Sequence, residues 1–169
     1  MSLTRAYLQP ADRIAWLSVL RAPWCALSLS DMHCLLTGAA DEPIWGLLQD
    51  KERVMSLSKD GQQSLLHIVE QFTAALANRE RMSVADTMVG LWSTLRGPEC
   101  LQQASDLADS ERFIECLSAL ESSGGDIELS ILEQHIEKLY AAPNANAPAT
   151  LQIMTIHKAK GLEFDHVIL

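Results

Sequence analysis

The sequence predicts a mainly helical fold that ends in a short strand, a polar loop and a second strand. Apolar side chains recur every three or four residues through most of positions 1–142, which is the spacing of one helix face. Capping residues and glycines separate these stretches, as they do at helix ends. Near the C-terminus the pattern changes to two short apolar runs, at 151–156 and 164–169, which are typical of buried strands.

Composition indicates a soluble globular protein. A chain of 169 residues with 48% hydrophobic content is long enough for one domain with a core. No apolar run approaches the roughly 20 residues that a membrane span needs. Arg5, Asp12 and Arg13 interrupt the start of the chain, so we expect no signal peptide.

The cysteines predict reduced thiols in a cytoplasmic protein. Cys25, Cys34, Cys100 and Cys116 are widely and irregularly spaced among apolar neighbours, which favours core thiols over a disulfide framework or a zinc site. His33 lies beside Cys34, but adjacent residues of a helix point in different directions. We therefore expect no metal there.

Acidic charge is concentrated before the C-terminal segment. Positions 1–149 carry eleven lysines and arginines against twenty acidic residues, whereas positions 150–169 carry two of each. An acidic surface repels a phosphate backbone. We therefore expect any DNA contact to lie in the final loop.

The first half of the chain shows four helical stretches and their boundaries. Ser28 or Ser30 can cap the third helix, and Gly38 suits the left-handed residue that ends it. Asp41 and Glu42 could hold magnesium in a nucleotide site, but no buried strand precedes them, so we interpret them as the first turn of the fourth helix. The predicted helices are Leu3–Leu8, about Pro10–Arg21, a helix through Leu36, and a short helix through Leu48.

After these stretches the sequence predicts a long helix, Asp60–Asn78, and further helices with clear apolar stripes. Ser83 and Asp86 form a capping box, and Asp126 can cap the last helix. We also expect a short helical turn near Glu99–Gln103. The stripes are Leu65, Val69, Phe72 and Leu76; Val84, Met88, Leu91 and Leu95, with Trp92; Phe113, Ile114, Leu117 and Leu120, capped by Ser110 or Asp109; and Leu129, Leu132, Ile136 and Leu139.

One domain boundary is predicted. The stretch 141–149 has two prolines, two asparagines and no charge, which is typical of an extended linker. We divide the chain into a helical part at 1–142, a linker at 143–149 and a C-terminal segment at 150–169. That segment ends inside an apolar run, so we expect a truncated domain. Its strands would fold against the helices, fray, or pair with a second copy through an open edge.

The loop between the two C-terminal apolar runs is the candidate binding site. Five ionisable residues lie in this loop or directly after it: His157, Lys158, Lys160, Glu163 and Asp165. Histidine and lysine suit phosphate oxygens, whereas an ionised glutamate accepts from hydroxyls such as those of a ribose. A solvated loop without a ligand is the alternative, because short motifs often match by chance.

The run from Thr155 to Glu163, TIHKAKGLE, resembles motif V of UvrD-like superfamily 1 DNA helicases, whose core is T-x-H-x-x-K-G-L-E. Two N-terminal pieces, PADR from Pro10 and VLRAPW from Val19, resemble RecB-like and AddA-like members, the type of the exonuclease V β-subunit. The resemblance implies a helical 2B-type insertion at 1–142 and the motif V segment of an α/β RecA-like 2A motor domain at 150–169.

The resemblance also implies roles for individual residues. His157 and Lys158 would bind single-stranded DNA, Lys160 and Gly161 would belong to the loop that links the nucleotide to DNA, and Glu163 would accept from the ATP ribose. The whole enzyme would use ATP and Mg²⁺ to translocate on DNA and unwind it in recombinational repair, with other subunits as possible partners.

The chain lacks the other parts of an ATPase. No G-x-x-x-x-G-K-[ST] sequence occurs, so we expect no ATP hydrolysis by this chain alone, no catalytic residue within it and no cofactor bound to it. A helical protein-interaction module without nucleotide chemistry is the alternative function, because acidic, leucine-striped helices also suit partner binding.

Overall fold

A computed structural model describes residues 1–124 and 127–139, together with the separate positions 154, 155, 157, 160, 164, 166 and 167. Within these residues the chain forms nine α-helices and a 3-10 turn at Gly97–Cys100. The α-helices are α1 (Ser2–Leu8), α2 (Arg13–Arg21), α3 (Leu29–Leu36), α4 (Ile44–Leu47), α5 (Lys51–Met55), α6 (Lys59–Ala77), α7 (Val84–Thr94), α8 (Ala104–Ser122) and α9 (Leu129–Ile136).

Polar residues before the helices fix where several of them begin. Asp12 accepts from the Ala15 amide at the start of α2. Ser28 and Ser83 cap α3 and α7 as the sequence predicted, and Ser58 caps α6. Each oxygen satisfies an amide that has no partner inside its own helix.

Three aromatic rings join α2 and α4 to α6. Trp16 of α2 stacks on Trp45 of α4 with ring centroids 5.2 Å apart, and Phe72 of α6 lies 4.6 Å from Trp16. Trp16 and Phe72 are fully buried. Burial of large rings contributes strongly to stability, so these residues form the centre of the core.

Helix α7 lies at the centre of the helix packing and joins the N-terminal helix α1 to α6 and α8. Helix α1 packs on α2 and also contacts α7, while α7 packs against α6 and α8. Helix α9 packs on α8. The sequence prediction of a mainly helical fold is confirmed for the described residues.

A buried carboxylate connects the starts of α3 and α6. Asp31, only 6% exposed, accepts from the Ser58 amide at 2.7 Å, the Ser58 hydroxyl at 2.9 Å and the Ser28 hydroxyl at 2.7 Å. These hydrogen bonds, led by that of the Ser58 amide, lower the pKa of Asp31. A Cβ on Gly61 would lie 2.8 Å from Asp31 Oδ2, so the lack of a side chain at Gly61 permits this contact.

A second carboxylate connects α8 to the start of α7. Glu121, near the end of α8, accepts from the Val84 amide at 2.5 Å and from the Ala85 amide at 3.1 Å. An acidic group at a helix N-terminus also interacts favourably with the helix dipole. Glu121 therefore fixes α8 against α7 over a separation of 37 positions.

One predicted helix start is wrong and one short helix was not predicted between positions 41 and 55. Asp41 and Glu42 precede α4, whose N-cap is Pro43, because proline suits the start of a helix and does not need an amide partner. Helix α5, which Asp50 caps, was not predicted because it has no buried residue and therefore no apolar stripe.

Two helix starts in the second half also differ from the prediction. Helix α8 begins at Ala104, six positions before Ser110, because Gln103 and Asp106 form a reciprocal capping box. The 3-10 turn occupies Gly97–Cys100 in place of the predicted turn at Glu99–Gln103. Helix α9 has Glu128 as its N-cap; Asp126, the predicted cap, lies outside the described residues.

The cysteines are not all core residues. Cys25 is buried and Cys100 and Cys116 are half-buried, but Cys34 is exposed, so its predicted core position is wrong. Cys34 is not among the buried residues of α3, which are Asp31, Met32 and Leu35. All four thiols are free.

The predicted C-terminal strands fall mostly on residues that the structure does not describe. Among the separate described positions, His157 is helical, Lys160 lies in a turn, and the other five have no regular structure. The strand-loop-strand and the linker at 143–149 remain predictions. None of the described helices combines the length and apolarity needed to cross a bilayer.

Candidate nucleotide and DNA loop

Only two of the five predicted site residues can be located. His157 and Lys160 are both exposed, the first in a helical position and the second in a turn. Lys158, Gly161 and Glu163 lie outside the described residues. Both located side chains are accessible to a ligand.

The alternative sites considered from the sequence have no matching geometry in the described part of the chain. Asp41 and Glu42 are exposed and lie before a four-residue helix, far from the setting of a magnesium site after a buried strand. Among the described residues, no three His, Cys, Asp or Glu side chains come together as metal ligands. This includes the surroundings of His33.

An apolar groove of about 530 Å³ lies among α1, α2, α7 and α8. Trp24, Met88, Trp92 and Phe113 line it, and Asp109 lies among its polar lining residues. No lysine or arginine side chain of the described residues lines this groove. Lysine and arginine are common phosphate ligands, so the side chains that line this groove favour an apolar ligand over a nucleoside triphosphate.

The surface around α8 and α9 is acidic. Between Glu99 and Leu139 the described positions contain nine acidic side chains, whereas Arg112 and Lys138 are the two basic ones. This concentration of negative charge opposes contact with a phosphate backbone. Any DNA-binding surface of the chain is therefore expected elsewhere than on α8 and α9.

Comparison with known protein families identifies the family of this chain. Residues 63–169 match the model of the UvrD-like helicase C-terminal domain, and this is more than half of the chain. The chain belongs to this family. The matched region includes the TIHKAKGLE run from Thr155 to Glu163. No curated protein and no solved structure matches the chain.

The family match begins inside α6, but the folded core extends further towards the N-terminus. Phe72 lies within the match, and the rings that pack on it, Trp16 and Trp45, precede residue 63. Asp31 likewise binds Ser58 at the start of α6, outside the match. The first 62 residues therefore pack with the matched helices around one core.

Sequence reasoning missed three polar residues that organise the helical part. Asp31 and Glu121 connect helix starts to other elements, and Arg5 forms ion pairs with Asp12 and Glu133. The spacing of Ser28 and Asp31, S-x-x-D, was a signal that could have drawn attention to Asp31. No local pattern predicts the contact of Arg5 with Glu133 or of Glu121 with the start of α7, because these partners are distant in sequence.

Proposed function

We propose that this chain is part of an ATP-dependent superfamily 1 DNA helicase that couples ATP hydrolysis to translocation on single-stranded DNA and to duplex unwinding. Membership of the UvrD-like helicase C-terminal domain family is the main support. The observation that carries the proposal is the complete T-x-H-x-x-K-G-L-E core at Thr155–Glu163 within the matched region.

We propose further that the helicase is of the RecB-like or AddA-like type and acts in recombinational DNA repair. This assignment rests on the resemblance of the PADR and VLRAPW pieces near the N-terminus. The helices α1–α9 would then form a 2B-type insertion, and positions 150–169 would belong to the 2A motor domain. All of the regular structure among the described residues between 1 and 139 is helical, which agrees with such an insertion.

The proposed site uses each loop residue for its chemistry. His157 and Lys158 would donate to the DNA backbone, and Lys160 with Gly161 would join this contact to the nucleotide. Glu163 would accept from the ribose hydroxyls of ATP. Histidine and lysine side chains are suited to phosphate oxygens, and the exposure of His157 and Lys160 leaves both accessible.

The proposed enzyme needs groups that this sequence does not contain. A phosphate-cradling loop and a magnesium-holding acid would come from other segments, since no G-x-x-x-x-G-K-[ST] occurs here. Mg²⁺ would neutralise charge on the phosphates during transfer to water. A cytoplasmic location agrees with the four free thiols.

The DNA role of His157 can be tested in the full-length protein that carries this chain. We expect His157→Ala to reduce the stimulation of ATP hydrolysis by single-stranded DNA at least several-fold, because a donor to the DNA backbone is lost. His166→Ala is the matched control, since His166 is also exposed but lies outside the motif core. Normal stimulation in the His157 variant would count against the proposed DNA contact.

A protein-interaction role without nucleotide chemistry is the second candidate. The acidic surface of α8 and α9 favours it, because such a surface suits a basic protein partner better than DNA. The coding sequence around this segment separates the candidates. A P-loop upstream and further motor motifs downstream support the helicase, whereas their absence supports the interaction role.

A further inference from the structure

Arg5 connects α1 to the start of the next helix, α2, and to the distant helix α9. Its Nε and Nη2 atoms donate to Asp12 Oδ2 at 2.9 and 2.7 Å, and its Nη1 atom donates to Glu133 Oε1 at 2.6 Å. Asp12 also caps α2 by accepting from the Ala15 amide. A single guanidinium on α1 therefore contacts the start of α2 and the middle of α9, 128 positions away.

The two halves of this network differ in strength. The Asp12 side chain is 9% exposed and receives two N–H groups of the guanidinium, whereas the Glu133 side chain is 46% exposed and receives one. Ion pairs in water are weakened by solvation and by salt, and paired N–H groups hold a carboxylate more firmly. When the network opens, Arg5 is expected to stay with Asp12 and to release Glu133.

Helix α9 has few other attachments. It has eight residues, and Leu132 is its one buried side chain. Leu129 and Ile136 are half-buried against the core. A helix this short is unstable by itself in water. Its position therefore depends on the Leu132 contact, on its packing against α8 and on the ion pair between Arg5 and Glu133.

We propose that the Arg5–Glu133 ion pair is a releasable tether that holds α9 on the helical body. After release of Glu133, Leu132 and the packing on α8 still hold α9, but α9 opens more often, while α1 and α2 remain joined through Arg5 and Asp12. Helix α9 is the last described helix before the TIHKAKGLE run, so we expect its release to be coupled to the function of this loop. This consequence for the loop rests on the proposed function, whereas the opening of α9 does not.

Hydrogen exchange in the intact chain tests the tether, with Glu133→Gln as the main variant. We expect the α9 amides to exchange about two- to fivefold faster, which corresponds to the loss of an exposed ion pair. The amides of α1 and α2 should keep their rates, because the Arg5–Asp12 contact remains. Glu137→Gln is the control: it removes the same charge at the end of α9, but Glu137 is not bound to Arg5, and no acceleration is expected.

Salt and a second variant complete the test. Raising NaCl from about 50 to 500 mM should accelerate exchange of α9 in the wild-type chain and not in Glu133→Gln, because salt screens the ion pair. Arg5→Gln should loosen both α9 and the first turn of α2. Unchanged α9 exchange in Glu133→Gln, or equal acceleration in α1, α2 and α9, would overturn the proposal. The exchange rates test the tether, and ATP binding by the full-length protein tests the proposed function. Either proposal can therefore be refuted while the other stands.

Discussion

Removal of the Asp31 carboxylate should destabilise the helical part strongly. In the structure Asp31 accepts three hydrogen bonds and is 6% exposed. The hydroxyls of Ser28 and Ser58 can turn towards other acceptors, but the Ser58 amide would lose its partner. A hydrogen bond to a charged group contributes roughly 1.5–3 kcal/mol, and these contributions are not additive. We therefore expect Asp31→Ala to reduce the free energy of unfolding by about 2–4 kcal/mol.

Urea unfolding followed by circular dichroism measures this loss. With a slope of about 2 kcal/mol/M, the unfolding midpoint should fall by about 1–2 M urea. Asp60→Ala is the matched control, because Asp60 is also an acid at the start of α6 but is exposed, and its removal should cost less than about 1 kcal/mol. Equal effects of the two substitutions would refute the role given to Asp31.

The pH dependence of stability gives an independent measure of Asp31. Its pKa in the folded chain lies below the ordinary value of 3.8, chiefly because the Ser58 amide donates to the ionised form. The stabilisation is therefore present above the unfolded pKa and is lost as pH falls through the folded pKa. Between about pH 5 and pH 2, the wild-type chain should lose more stability than Asp31→Asn.

Two further predictions concern the second helix connection and the cysteines. Glu121→Ala should reduce the free energy of unfolding by about 1–2 kcal/mol, because two amides at the start of α7 lose their acceptor. Urea unfolding measures this loss, with Glu115→Ala, at an exposed position on α8, as the control. An equal loss in the control would contradict the capping role of Glu121. At pH 8 a thiol reagent should modify the exposed Cys34 well before the buried Cys25, whose pKa is raised to about 11 by burial. Mass spectrometry of the labelled peptides measures the order of modification. Labelling of Cys25 before Cys34 would contradict the burial of Cys25.

Local patterns in the sequence predicted the longer helices well. The predicted Asp60–Asn78 helix is α6, Lys59–Ala77, because its apolar stripe and the residues at its ends agree with each other. Within this helix Ile68 is buried and Val69 is half-buried, although the prediction placed Val69 in the stripe. Neighbouring apolar residues on one side of a helix cannot be ranked until the partner helix is known.

Short elements and distant contacts could not be predicted in this way. Helix α5 has five residues, which is too short to show a period. The contacts of Asp31 with Ser58, of Glu121 with the start of α7 and of Arg5 with Glu133 join different elements, and only the folded chain brings these atoms together. Sequence reasoning therefore described single helices better than the polar connections between them.

The candidate loop shows the opposite relation between sequence and structure. The T-x-H-x-x-K-G-L-E core can be read from the sequence without coordinates, and the family match from 63 to 169 includes it. The structure locates His157 and Lys160 but not their geometry with Glu163, which lies outside the described residues. For this site the family supports the function, and residue roles need direct measurement.

ATP affinity of the full-length protein with Glu163→Ala tests the central proposal most directly. Loss of a hydrogen bond between a carboxylate and a ribose hydroxyl, worth roughly 1.5–3 kcal/mol, should weaken ATP binding about tenfold or more. Asp165→Ala removes a neighbouring carboxylate outside the motif core and should leave the affinity unchanged. Titration calorimetry that gives wild-type affinity for Glu163→Ala would contradict a nucleotide role for this loop.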